Sequence, residues 1–180
     1  MKNILILYAT REGQAQKIAS QLALHLQEAG EGVQLINAKD ESATKNLDLN
    51  TFDTLVFGAS MHAGGLESEL VDFVNSHKDQ IEAKARSFFL VLLSAATKDP
   101  KLNAESLADA QKKTNKQLQV QFPAAEMIAG ALMYSKYFRP VKWIMQSIAK
   151  KYDEDTDTSK DYEYTDWNQV KQYAEKIMRM

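Results

Sequence analysis

Asn3 to Ala15 read NILILYATREGQA, a continuous apolar run that breaks into a polar turn and then into helical spacing. The run Asn3–Ala9 has no clean in–out alternation, which suits a strand buried on both faces, as in a parallel sheet. Beyond the turn, Ala15, Ile18, Leu22, Leu26 and Ala29 recur at helical intervals, and Gly30 and Gly32 close the helix. The same unit repeats along the chain. Further strands are predicted at Val33–Ala38, Thr54–Ala59, Ser87–Leu93 and Glu126–Leu132. One helix is predicted from Leu66 to Ile81, a weakly amphipathic one over 103–121, and a last one opening at Thr165 as N-cap and burying Trp167, Val170, Ala174, Ile177 and Met178. Residues 39–51 read as an irregular loop. Alternating strands and helices predict one α/β domain over 1–180, a doubly wound five-stranded parallel sheet of order 2-1-3-4-5, with an insertion at about 134–164 before the last helix. Such sheets bind ligands beyond the carboxyl ends of their strands.

Composition excludes several classes. The chain has 180 residues, 44% hydrophobic and 26% charged, enough for one self-sufficient core. Without a cysteine it has no disulfide, thiolate metal site or cysteine nucleophile. A net charge of −2 gives no global attraction to nucleic acid. The apolar start is too short for an export signal and no run approaches a membrane span, so a cytoplasmic location is expected.

The turn Thr10–Arg11–Glu12–Gly13–Gln14–Ala15 sits before a helix N-terminus, where unpaired N–H groups and the helix dipole favour an anion such as phosphate. Thr10 and Gln14 add candidate side-chain donors, Arg11 a charge, and Gly13 a close backbone approach. It is neither a GxGxxG nor a P-loop sequence. Ser60 and Ser94 lack a His–Asp pairing in sequence and no GxSxG elbow exists, which argues against a hydrolase.

The TxEGQ loop after NILILYA resembles the phosphate loop of the flavodoxin superfamily. With ILYATREGQAQKIA, VFGASMHAG, IAGALMYSKY and the block from Asp155 to Val170, nearly the whole chain resembles the menaquinone-dependent protoporphyrinogen IX dehydrogenases. The resemblance implies a flavodoxin-like fold and a noncovalent FMN that takes hydrogen from protoporphyrinogen IX and passes electrons to a membrane quinone, menaquinone or ubiquinone, in haem biosynthesis. By position, Thr10, Arg11, Glu12, Gly13, Gln14 and Ala15 would hold the phosphate. Ser60, Met61, His62, Ala63 and Gly64 would flank one side of the flavin ring, and Leu93, Ser94, Ala95 and Ala96 the other. No catalytic acid or base is implied.

Two positions depart from that family. Ala15 stands where members carry a Thr or Ser hydroxyl, a loss of about 0.5–1.5 kcal/mol, and Ala63 cannot stack on a flavin. These losses motivate one alternative, a domain with weakened or lost FMN binding. A flavodoxin-type electron carrier is the other, although net −2 and a basic insertion differ from the acidic docking surface such carriers use.

Within the insertion, Lys136, Arg139, Lys142, Lys150 and Lys151 accompany a helix predicted to begin at Pro140. Val141, Ile144, Met145 and Ile148 share one face, with Phe138 and Trp143 as amphipathic rings. Residues 136–151 suit either peripheral contact with an anionic inner membrane or packing on the domain. The acids from Asp153 to Asp166 read as a solvated loop. His62 falls at the ligand edge and can bond a flavin or shuttle a proton. Tyr134 and Tyr137 share that rim, while His25 and His77 read as partly buried helix residues, and Lys112, Lys113 and Lys116 as a solvated helix face.

Overall fold

The computed structural model describes residues 1–62, 65–151 and 155–180. In chain order the elements are β1 (Asn3–Tyr8), α1 (Gln14–Glu28), β2 (Gly32–Asn37), α2 (Glu41–Thr44), β3 (Thr54–Ser60), α3 (Ser68–Ser76), α4 (Lys78–Glu82), β4 (Ala85–Leu92), α5 (Pro100–Gln117), β5 (Ala124–Ala129), β6 (Ala131–Leu132), α6 (Arg139–Lys151), β7 (Tyr162–Glu163) and α7 (Trp167–Met178). Strands β2-β1-β3-β4-β5 form one parallel sheet, the predicted order. Pairings such as Leu7 with Phe57 and Leu90 with Met127 set its register.

The period of two in a strand divides the core. Leu5, Leu7, Leu55, Phe57, Phe88 and Leu90 point to the layer holding Leu70, Phe73, Ile81 and Ala110. Their neighbours Ile4, Ile6, Val56, Phe89, Val91 and Ile128 point to the other layer, against Ile18, Leu22 and Leu26 of α1 and Val170, Tyr173 and Ile177 of α7. Helices cover both faces, so every central strand is buried twice. Gly58 makes one of these layers possible, because a Cβ there would lie 1.9 Å from Phe89 Cζ. Past α1, Gly30 adopts φ 88°, the left-handed conformation expected of a glycine that ends a helix.

Several predicted boundaries are corrected. The helix expected over 66–81 is two helices, because His77 leaves helical geometry, its Nδ1 bonds the Phe73 carbonyl at 2.8 Å and its ring stacks on Phe73. The expected loop at 39–51 holds α2 and a 3-10 turn, Leu49–Thr51, started by Asp40 and Asp48 carboxylates that accept backbone N–H groups. Helix α5 begins earlier than predicted, at Pro100, because Asp99 caps it, and it ends by Leu118, whose side chain leaves for the core. The fifth strand breaks at Gly130: the short β6 leaves the sheet and pairs with β7. At α7 the N-cap is Asp166, which accepts from the Asn168 N–H at 2.9 Å. Thr165 instead donates to the Ala129 carbonyl at 2.7 Å. Trp167, expected to be buried, remains 37% exposed with Lys17 Nζ 5.7 Å from its ring centroid.

The insertion builds a third, small core. Leu132, Tyr134, Tyr137 and Ala149 are buried together, with Val141 and Met145 of α6 and Leu93 of the domain packed against them. The acids that follow hold turns: Asp161 accepts from the Ser135 N–H at 2.7 Å, and Asp155 accepts from the Tyr164 hydroxyl at 3.0 Å. Among the described residues no helix is long and apolar enough to cross a membrane.

Candidate functional site

The loops after β1, β3 and β4 come together at the carboxyl edge of the sheet, because parallel neighbours end on the same side. In the first loop Gly13 takes φ 103° and serves as N-cap of α1. Its N–H donates to Thr10 Oγ1 at 2.9 Å, and its carbonyl accepts the first helical bond from the Lys17 N–H at 3.0 Å. The N–H groups of Gln14, Ala15 and Gln16 precede that bond and are the ones a helix cannot pair itself. The turn therefore has the left-handed glycine and free donors of an anion cradle.

One predicted donor is placed differently. Gln14 is buried and turned to the insertion, its Nε2 donating to Glu163 Oε1 at 3.0 Å and Thr165 Oγ1 at 2.8 Å. Its amide protons are thus committed elsewhere. Ala15, in the first turn of α1, is fully buried in the core. Arg11 is exposed at the turn. In compensation, Lys136 reaches the loop from the insertion: its ammonium donates to the Glu12 carbonyl and would lie 3.6 Å from a Cβ on Gly13. Tyr137 donates to Glu12 Oε2 at 2.7 Å. Burial pushes the Glu12 carboxyl above the usual carboxylate range despite the Tyr137 bond and the Lys136 and Arg11 charges, and burial with the Glu12 contact pushes the Tyr137 phenol up. Neither role was legible beforehand, since Lys136 read as part of a basic helix.

After β3, the Met61 N–H bonds the Val91 carbonyl at 2.8 Å, and His62 and Gly65 exchange two backbone bonds of 2.9 Å. Ala63 and Gly64 lie outside the described residues, as do Asp153 and Glu154 of the acidic run and the side chain of Lys151. Ser60 is buried. After β4, Leu93–Ala96 form a 3-10 turn with Ser94 buried. Met61, His62, Leu93 and Ser94 line one cleft of about 390 Å³, walled by Glu105 and Asp109 of α5 and roofed by Met145 and Ile148 of α6. Ala95 and Ala96 continue the turn without lining it. A second hollow of about 360 Å³ lies between the β1 loop and the insertion, bounded by Gly13, Lys17, Lys136 and Glu163.

His62 and Glu67 meet at the inner end of the cleft, with Nε2 3.7 Å from Oε1. Burial, then the Arg11 charge, pushes the His62 imidazole down to about 4, and burial pushes the Glu67 carboxyl up. The separation is that of an ion pair, but burial disfavours the imidazolium, and we assign neutral imidazole to the resting state. Glu67 carried no signal in the sequence beyond its place before a helix.

An anion cradle beside a half-apolar cleft suits a ligand with a phosphate at one end and a flat ring at the other. A family model described as "Flavodoxin domain" matches residues 5–159. The protoporphyrinogen IX dehydrogenase [quinone] of Escherichia coli is 32% identical over 178 residues, covering 98% of this chain and 94% of that protein. Among solved structures, oxidised flavodoxin 2 from Bacillus cereus superposes with a TM-score of 0.53 at 16% identity, over 98% of each chain. Fusobacterium nucleatum flavodoxin bound to flavin mononucleotide gives 0.50 at 12% identity, over 99% of this chain and 98% of that one. The chain belongs to the flavodoxin-domain family and, within it, to the protoporphyrinogen IX dehydrogenases, which are oxidoreductases.

Proposed function

We propose that the protein holds FMN noncovalently at the β1, β3 and β4 loops and oxidises protoporphyrinogen IX to protoporphyrin IX, passing the electrons to a membrane quinone, menaquinone or ubiquinone, in haem biosynthesis. The observation that carries this reading is a turn with the left-handed glycine of an anion cradle at the same sheet edge as a cleft roofed by the insertion, in a chain similar over nearly its whole length to an enzyme of that name. The residues fit the group. Gly13 in the left-handed region, the free N–H groups of the first turn of α1 and the Lys136 ammonium favour a phosphate. His62 and Ser94 add polar side chains to the cleft on the ring side. Bound FMN supplies the two-electron chemistry. Thr10–Ala15 would hold its phosphate, with Lys136 adding charge, and Ser60–Gly64 and Leu93–Ala96 would flank its ring. Leu93, Met145 and Ile148 supply apolar surface to the cleft.

Helix α6 supports a peripheral membrane contact at the cytoplasmic face, with the predicted rings Phe138 and Trp143 exposed together with Ile144, the one exposed member of the predicted stripe. Val141 and Met145 pack inward and Ile148 faces the cleft. Phe138, Trp143 and Ile144 stand outward, 69%, 73% and 53% exposed, alongside Arg139, Lys142 and Lys150. Aromatic and aliphatic side chains ringed by cations suit an anionic bilayer surface. Lys136 is not on that surface, because it is committed to Glu12.

The test is the visible spectrum of the purified protein followed by assay with protoporphyrinogen IX. A flavin spectrum and porphyrin formation with quinone, faster than with cytochrome-type acceptors, support the reading. A colourless protein whose stability added FMN does not raise favours a domain without cofactor.

A further inference from the structure

One buried carboxyl lies behind the cleft, outside its lining. Glu67 is 5% exposed, and neither of its carboxyl oxygens has a hydrogen-bond partner among the described residues. Leaving such a group unpaired costs free energy, so its retention calls for a role. Its Oε1 lies 3.7 Å from His62 Nε2, which is likewise sealed and unpartnered. His62 lines the cleft together with Leu93 and Met145. Nε2 is its sealed nitrogen, while the ring as a whole lines the cleft. The imidazole thus separates the cleft from a buried carboxyl. Arg11 of the β1 loop faces both groups. Glu69 of α3 lies near Glu67 and is paired with Lys39 at 3.8 Å. Across the cleft, α5 presents Glu105, Asp109 and Lys113.

We propose that His62 carries protons between the cleft and the buried carboxyl, and that Glu67 is its positioning residue. The inference rests on the oxidoreductase reading above. Each turn takes two electrons and two protons from protoporphyrinogen IX and places them on the quinone as quinol. One hydrogen nucleus leaves with the electron pair. The other leaves as a proton: it binds Nδ1 while the Nε2 proton passes to an ionised Glu67, the two atoms closing from 3.7 Å to hydrogen-bond distance for the transfer. When the quinone is reduced the transfer reverses, so the pair stores one proton between the two half-reactions. A neutral imidazole suits this because it accepts at one nitrogen as it releases from the other. A carboxylate behind it selects the ring tautomer and orientation.

Nitrogen-15 NMR of the histidine side chains tests the pair directly, with His25 and His77 as internal references. Glu67→Gln is expected to shift the His62 tautomer ratio by at least threefold, and Glu67→Asp to restore it in part. In the flavin-loaded protein, the ratio of quinone turnover to ferricyanide turnover is expected to fall at least tenfold in Glu67→Gln, because ferricyanide takes electrons without protons. The pH profile of quinone turnover changes with it. Should Glu67→Gln not fold, His62→Gln is expected to give the same fall. An unchanged tautomer ratio with an unchanged turnover ratio overturns the proposal. A protein without flavin contradicts the parent reading instead, and the tautomer measurement, made without flavin, still decides whether Glu67 sets the His62 ring.

Discussion

The Tyr137 hydroxyl donates to Glu12 Oε2 across 2.7 Å, fastening the insertion to the loop that ends β1. Two residues 125 positions apart therefore join the anion turn to the segment that roofs the cleft. Replacing Tyr137 with Phe keeps the buried ring and leaves the Glu12 carboxyl without its donor. A lost bond to such a group costs about 1–2 kcal/mol. Backbone amide exchange in α6 and the β6–β7 pair is expected to quicken roughly tenfold, while the five-stranded sheet stays protected. Unchanged exchange in α6 would show that the bond does not fasten the insertion.

His62 titrates near pH 4 in the folded chain, below the ordinary imidazole value of 6.5, mainly because burial disfavours its charge. Between those values the folded state binds fewer protons than the unfolded chain. The stabilisation is therefore complete above about pH 6.5 and is lost as the pH falls toward 4. Urea unfolding of wild type and His62→Gln at pH 7 and pH 5 checks this. The difference between the two proteins should move by about 2 kcal/mol in favour of the variant at the lower pH. A difference that does not change with pH would mean that the imidazole is not desolvated.

Ala15 lacks the hydroxyl that would add a donor to the anion turn, and it is fully buried at the first turn of α1. Ala15→Ser is the smallest change that restores it. A gain of about 0.5–1.5 kcal/mol corresponds to roughly 2- to 12-fold tighter FMN binding. Riboflavin, which has no phosphate, should bind as before. Fluorescence titration with both ligands separates the outcomes. Equal gains for the two would place the effect away from the phosphate.

Trp143 and Ile144 project from α6 and bury nothing within the chain comparable to their size. Replacing both with Ser should leave flavin content unaltered and weaken sedimentation with anionic liposomes by about tenfold or more, given the apolar area withdrawn. Added salt should weaken wild-type binding as well, by screening Arg139, Lys142 and Lys150. Full retention on liposomes in the double variant would contradict a membrane role for this face.

The sheet was legible because its strands are buried on both faces. Runs such as NILILY and TLVFGA leave no other place for so much apolar surface, and the left-handed turn before α1 is announced by Gly13 and the helix that follows. Boundaries failed where a single side chain decided them. His77 looks like a continuation of the apolar stripe until its ring folds back on Phe73. Asp166 displaced Thr165 as cap because Thr165 is needed by the Ala129 carbonyl. The site was legible only in its loops. Lys136 and Tyr137 reach Glu12 through tertiary packing, and Glu67 is distinguished by burial alone, which no local pattern around it announces.

The central claim is that this chain moves electron pairs from protoporphyrinogen IX to a quinone through a flavin at the β1, β3 and β4 loops. Its most direct test is anaerobic absorbance spectroscopy of the purified protein mixed first with protoporphyrinogen IX and then with menaquinone. An oxidised flavin band is expected to bleach as porphyrin appears and to return when the quinone is added. A flavin band that stays unbleached by protoporphyrinogen IX, or that bleaches and does not recover with quinone, would contradict it.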